Sequence, residues 1–258
     1  MSAEIPADPE SPNPVAAQAR DHARGVRIAR HVHDRAQIIA LLSGALRLEL
    51  DDRVLSVPPG RAAFLPGGVA HAAVYTDHSA VRMAYLDPAA YPELPADSLV
   101  FPLTGLLREL LVRSIELGTA TAWTAREARL HQVLADEIAR APEAAPSLAL
   151  GRDPRLRRVT EALLADPADR RPLPDWAAAA GTTERTLARL FVRETGLSFA
   201  RWRQKLQLVR AVEMLAAGNP VTRVALDLGY ATPSAFSAMF SREMGVSPAG
   251  YGAAPGVG

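Results

Sequence analysis

The segment Leu173-Pro-Asp-Trp-Ala-Ala-Ala-Ala-Gly181, continued by Thr182-Thr183 and Glu184-Arg-Thr-Leu-Ala-Arg-Leu-Phe-Val-Arg-Glu-Thr-Gly196, has the form of two short helices around a tight turn. Gly181 can turn the chain and Thr183 can cap the second helix, while Leu187, Leu190 and Phe191 recur at i, i+3 and i+4 on one face. The plan repeats downstream. Val221, Val224, Ala225 and Leu228 share a face, Gly229 marks the turn, and Thr232-Pro233 opens a helix whose Phe236, Met239 and Phe240 point inward. Between the two units Ser198 can cap a longer helix with Trp202, Leu206, Val209, Val212 and Leu215 at its apolar positions, stopped by Gly218-Asn219-Pro220. At 1.5 Å per residue, Phe199 to Ala217 spans roughly 28 Å. Two reader helices held that far apart can enter successive major-groove turns of a duplex, which repeat at roughly 34 Å.

On the first reader helix the outward residues are Glu184, Arg185, Ala188 and Arg189, near the half that meets base edges in such motifs. Arg185 and Arg189 are i, i+4 neighbours, and each can offer two parallel donors to a guanine edge. They are the expected base readers, with Glu184 beside them. The second reader helix presents only Ser234, Ala235, Ser237 and Ala238. Its N-terminus, from Thr232, is expected to grip phosphate, with Ser234 and Ser237 adding hydrogen bonds. Thr183, Arg201, Arg203, Lys205 and Arg242 complete the candidates for backbone contact.

Residues 153–251 resemble the DNA-binding domain of the AraC/XylS family of bacterial transcription regulators. The matching motifs are Arg189-Leu-Phe-Val-Arg-Glu-Thr-Gly196, Arg203 to Leu215, Val224-Ala-Leu-Asp-Leu-Gly-Tyr230, Phe236-Ser-Ala-Met-Phe240 and Gly245-Val-Ser-Pro248. The resemblance implies double-stranded operator DNA, RNA polymerase and a small-molecule effector as partners, and a homodimer.

With 258 residues the chain can support two domains, each with a core. The net charge of +1 hides an uneven split: residues 1–154 carry 15 basic and 19 acidic side chains, whereas residues 155–258 carry 14 and 9. The basic surplus falls on the part expected to bind phosphates. There is no cysteine, which excludes disulfides and thiolate metal sites, and no apolar run approaches the roughly 18 residues of a membrane span. A cytoplasmic protein with no membrane partner is expected.

Residues 1–19, with Pro6, Pro9, Pro12 and Pro14, read as a disordered tail. From 20 to 98 the pattern is of short strands: Leu46, Leu48 and Leu50 alternate with Arg47 and Glu49, and turn signals stand at Ser43-Gly44, Pro58-Pro59-Gly60 and Pro66-Gly67-Gly68. Residues 99–140 read as helical, with the stripe Leu103, Leu106, Leu107, Leu110, Leu111 and a capping box at Thr124 and Glu127. These helices either pack on the barrel or join two subunits. Residues 141–152 read as a linker and 153–258 as the DNA-binding domain. The expected class is therefore α+β: a β-barrel with dimerisation helices, then an all-α domain.

Within the strand region His31 and His33 are two residues apart and can converge on one face, and His71 from a neighbouring strand can complete a facial nitrogen set suited to Zn, Ni, Fe or Cu. The spacings from Gly25 through His31, His33 and Gln37 to Gly44, and from Gly60 through Pro66-Gly-Gly68 to His71, resemble the two motifs of the cupin barrels. Gln37 stands where that family often has a glutamate, and Tyr75 where it often has an asparagine. A neutral Gln37 binds a cation more weakly than a carboxylate does. The five residues His31, His33, Gln37, His71 and Tyr75 are thus the expected pocket, either holding a divalent metal through the histidines and Gln37 or hydrogen-bonding an effector directly. His22, His78 and His131 are expected at the surface or in packing. The predicted function is effector-controlled transcription regulation without catalysis, and the barrel's resemblance to regulators of drug-efflux genes extends this to efflux or detoxification. The rival is a cupin metalloenzyme, oxygenase-like, tethered to a DNA-binding domain, with Asp34 and Tyr75 as its proton-transfer candidates.

Overall fold

Along the strand Ala36–Ser43, Gln37, Ile39 and Leu41 point to one side and Ile38 and Ala40 to the other, and all five are buried. A strand covered on both faces must lie between two apolar layers. The computed structural model of the protein describes residues 2–3, 11–118, 122–142, 147–244 and 246–253. They form two compact units, one lying within residues 1–50 and 55–145, the other within residues 51–54 and 146–254. The architecture is two-domain α+β.

The strands are β1 (Ser2–Ala3), β2 (Val15–His22), β3 (Arg27–His31), β4 (Ala36–Ser43), β5 (Leu46–Leu50), β6 (Arg53–Val57), β7 (Arg61–Leu65), β8 (His71–Tyr75), β9 (Ser79–Leu86), β10 (Leu99–Pro102) and β11 (Ser147–Ala149). One sheet of the first unit runs β1-β3-β8-β5 and is edged by residues 55–57 of β6, the other runs β10-β7-β4-β9-β2. Their facing sides enclose Ile39, Leu41, Leu46, Leu48, Leu65, Val81 and Met83. The outer side of the second sheet, through Ile38, Phe64 and Leu86, is covered by Leu107 and Leu111 of α1 (Gly105–Leu117) and by Leu134 and Ile138 of α2 (Ala125–Ala139). Thr104 caps α1, and Thr124 with Glu127 forms the expected capping box of α2.

Three boundaries differ from the sequence reading. The tail expected over 1–19 is interrupted by β2, which pairs antiparallel with β9 from Val15↔Leu86 to His22↔Ser79. Its register buries Val15 and Ala16, so few apolar residues suffice; residues 1 and 4–10 lie outside the described residues. Residues 99–102, expected at the start of a helix, form β10 against β7. Their run Leu-Val-Phe-Pro is apolar throughout, and the helical stripe begins only after the Thr104 cap. The expected linker contains β11, where Leu148 and Leu150 enter the core of the second unit with Val54; residues 143–146 are outside the described residues.

The second unit carries α3 (Pro154–Ala165), α4 (Leu173–Ala179), α5 (Glu184–Thr195), α6 (Phe199–Ala216), α7 (Val221–Asp227), α8 (Pro233–Met244) and α9 (Pro248–Ala253). Asp153, Thr183 and Ser198 cap α3, α5 and α6. Gly196 ends α5 at φ 71°, a left-handed conformation that a side chain would strain. Two cores divide the unit. Leu187, Leu190 and Phe191 of α5 meet Trp176 and Trp202, while Val224, Phe236 and Phe240 meet Val212 and Leu215 of α6. One long helix therefore serves both cores and holds α4–α5 and α7–α8 in fixed relation.

Candidate functional site

In the first unit β3 and β8 pair so that His31 lies opposite His71. His33 lies just beyond β3, not on it as the two-residue spacing suggested. It is brought back because the Gly68 N–H donates to its carbonyl at 2.7 Å. Gly67 permits this approach, since a Cβ there would stand 2.2 Å from the Asp34 carbonyl oxygen. The three rings meet with centroids 4.7 Å apart for His31–His33, 4.4 Å for His31–His71 and 5.5 Å for His33–His71. One nitrogen from each lies within 4.8 Å of the others.

Both His31 and His71 turn Nδ1 toward a backbone carbonyl two residues back, Ala29 at 2.7 Å and Val69 at 2.9 Å. A carbonyl only accepts, so Nδ1 carries a proton in both rings, and in the neutral tautomer it is Nε2 that offers the lone pair. Burial depresses the His71 pKa to about 4, against the opposing bond to Val69 and with help from His31, His33 and Arg30. His71 is thus a neutral imidazole at neutral pH.

The His31 and His71 rings border a cavity of about 380 Å³ that also takes in Gln37, Ile39, Tyr75, Met83 and Tyr85. Gln37 Nε2 donates to the Tyr85 hydroxyl at 2.9 Å and approaches the Met83 sulfur at 3.8 Å. Because a thioether can only accept, that end of the amide is the NH2 group. Gln37 Oε1 is left buried with no hydrogen-bond partner among the described residues. Burial raises the Tyr75 pKa, so this hydroxyl stays protonated.

Of the five expected pocket residues, His31, Gln37, His71 and Tyr75 line the cavity and His33 packs against its two histidines; one lining residue was missed. His22 stacks on Tyr75 with centroids 3.9 Å apart and lines the cavity; expected at the surface or in packing, it has no spacing partner in the sequence that marks it for the pocket. His131 is a packing residue, stacked on Trp123 at 3.7 Å, and His78 is exposed. Of the rival's proton-transfer candidates, Asp34 is exposed and does not line the cavity, while Tyr75 does.

On the second unit Glu184, Arg185 and Arg189 are exposed along the first two turns of α5. Ion pairs occupy much of the surrounding arginine: Arg155 with Asp153, Arg157 with Glu161, Arg171 with Asp169, Arg193 with Glu194 and Arg223 with Asp227. Arg185 and Arg189 enter no ion pair or side-chain hydrogen bond among the described residues. Thr183 caps α5 through the Thr186 N–H. At α8 the Ala235 N–H donates to the Thr232 hydroxyl at 3.2 Å, and Ser234 is exposed while Ser237 is half-buried. Arg201 and Arg242, expected at the phosphates, both pair with Glu243. Arg203 donates to the Arg171 carbonyl at 3.2 Å, and Lys205 is half-buried on α6.

A family model described as an AraC-like ligand binding domain matches residues 13–153, and one described as a helix-turn-helix domain matches residues 176–254. The HTH-type transcriptional regulator NimR of Escherichia coli is 34% identical over 221 residues, covering 86% of this chain and 81% of its own. RipA of Corynebacterium diphtheriae is 28% identical over 222 residues, covering 81% of this chain and 58% of its own. Among solved structures, fatty acid-bound ToxT of Vibrio cholerae is similar over 95% of this chain and 97% of its own, with 12% identity and a TM-score of 0.39.

Proposed function

The chain belongs to the AraC family of helix-turn-helix transcription regulators, and on that premise we propose that Arg185 and Arg189 read the bases of its operator. The observation that carries this is their freedom: both stand exposed on the reader helix and pair with no carboxylate among the described residues, so their donors are available to guanine edges. Glu184 reads beside them. Thr183, Thr232, Ser234, Ser237, Arg203 and Lys205 grip the sugar–phosphate backbone and fix the register. Footprinting of the purified protein across its genome tests this, and protected sites sharing no sequence would refute it.

The cavity of the first unit takes the effector. Its volume suits a small molecule, and the unpartnered Gln37 Oε1 supplies an acceptor inside an aromatic wall. The effector must favour one arrangement of the DNA-binding units over another, because equal affinity for both would switch nothing. A xenobiotic effector and an efflux or detoxification target follow by analogy of the barrel alone. Derepression by a plain metabolite would overturn that extension.

His31, His33 and His71 would hold a divalent ion, Zn, Ni, Fe or Cu, with Gln37 Oε1 as a neutral fourth donor. The lone pairs directed by Ala29 and Val69 and the orphaned amide oxygen fit such an ion. When bound it would supply a Lewis-acidic anchor for the effector. Elemental analysis of the purified protein and of His31→Ala tests it.

Dimerisation uses α1 and α2, whose Leu106 and Val133 remain 52% and 43% exposed after the helices have packed on the sheet. RNA polymerase is the partner at the promoter. Light scattering that gives a monomer at high concentration would remove the dimer.

A further inference from the structure

We infer that Glu243 is a specificity-determining residue that holds two arginines away from the phosphates of non-operator DNA. Its Oε1 accepts from Arg201 Nη1 at 3.3 Å and from Arg242 Nε at 3.4 Å, so one carboxylate engages a guanidinium from the first turn of α6 and another from the last turn of α8. The inference goes beyond the base-reading role of Arg185 and Arg189 and rests on a different part of the unit.

The placement on α8 gives the pair its meaning. Ser234, Ala238 and Arg242 recur at i, i+4 and i+8 and are all exposed, so Arg242 lies on the stripe that opens at the phosphate-gripping end of the helix. Apart from Arg242 that stripe offers only short side chains. Without Glu243, Arg242 would be free and Arg201 would keep only the neutral Gln204 side-chain carbonyl, to which its Nη1 also donates at 2.8 Å, so both could add charge-assisted phosphate contacts that any sequence can accept. The pairing is also of a kind that can be undone by substitution without unfolding the protein. Both distances exceed the 2.7–2.9 Å typical of strong charged bonds. The Arg201 and Arg242 side chains are 58% and 63% exposed, and exposed pairs contribute little to stability. Glu243 therefore acts mainly on electrostatics at the DNA face. By withholding sequence-independent grip, it leaves discrimination to α5.

The test compares the full chain, Glu243→Gln and Glu161→Gln on one mixed-sequence duplex across a salt series. Glu161 pairs with Arg157 on α3 and controls for the loss of one negative charge. Glu243→Gln is expected to bind the duplex several-fold more tightly, with log Kd against log salt steeper by about 0.9 for each arginine released. Arg201→Ala in the Glu243→Gln background should remove about half of the added slope. Arg242→Gln in the otherwise unaltered chain, which keeps Glu243, should leave the slope almost unchanged. Affinity and slope for Glu243→Gln equal to those of Glu161→Gln would overturn the inference. So would a slope that flattens by about 0.9 in Arg242→Gln, because Arg242 would then already be on a phosphate.

Discussion

Gln37 donates to the Tyr85 hydroxyl at 2.9 Å and leaves its own carbonyl oxygen buried and unpartnered beside three histidines. A carboxylate at this position would bring a negative charge toward the imidazoles, and it would accept from the Tyr85 hydroxyl where the amide of Gln37 donates to it. Gln37→Glu is therefore expected to retain more zinc after dialysis than the unaltered protein, and His31→Ala to retain less. Elemental analysis reads both. Equal zinc in all three would place the ion elsewhere.

His131 is buried against Trp123, and burial lowers its pKa below the usual 6.5 despite its Nδ1–H bond to the Glu127 carbonyl and the nearby Glu127 charge. The unfolded chain protonates this ring at about 6.5, before the folded chain does. Its stabilising contribution is therefore fully present above that pH and is lost as pH falls below it. Urea unfolding between pH 7.5 and 5 should show this loss, and His131→Gln should make the dependence shallower. An unchanged slope would contradict the assignment.

Trp202 is fully buried and donates its indole N–H to the Ala149 carbonyl at 2.6 Å, tying α6 to β11 beneath α5. Trp202→Ala should destabilise the second unit by about 3–5 kcal/mol, the range for emptying a large aromatic site. Urea unfolding followed by circular dichroism measures it. A loss under 1 kcal/mol would mean that this core does not hold α5 in place.

How much of this was legible beforehand follows from the range of each signal. Caps and glycine stops are local, so Thr183, Ser198, Thr124 and Gly196 could be read directly and the reader helices began where expected. The strand β2 could not. Only its pairing with β9 makes Val15–His22 a strand, and residues such as Ala17, Gln18 and Ala19 carry little periodic signal. His22, at the end of that strand, has no spacing partner in the sequence that marks it for the pocket. The convergence of His31, His33 and His71 was anticipated, but for an incomplete reason: a loop closed by Gly67 and Gly68 returns His33, a long-range packing relation. Ion pairing was similarly out of reach. Arg201 and Glu243 are 42 residues apart, and only the crossing of α6 with α8 joins them.

Arg185 and Arg189 stand on the exposed face of α5, where we propose that they read base edges. Selection of bound duplexes from a random-sequence pool by the full chain, at physiological salt, tests it most directly when run beside Arg185→Ala and Arg189→Ala. An enriched motif containing guanines is expected, with each substitution costing about 1–3 kcal/mol on that motif and relaxing preference at its own position. No enriched motif, or an equal loss of affinity across all sequences in both variants, would contradict it.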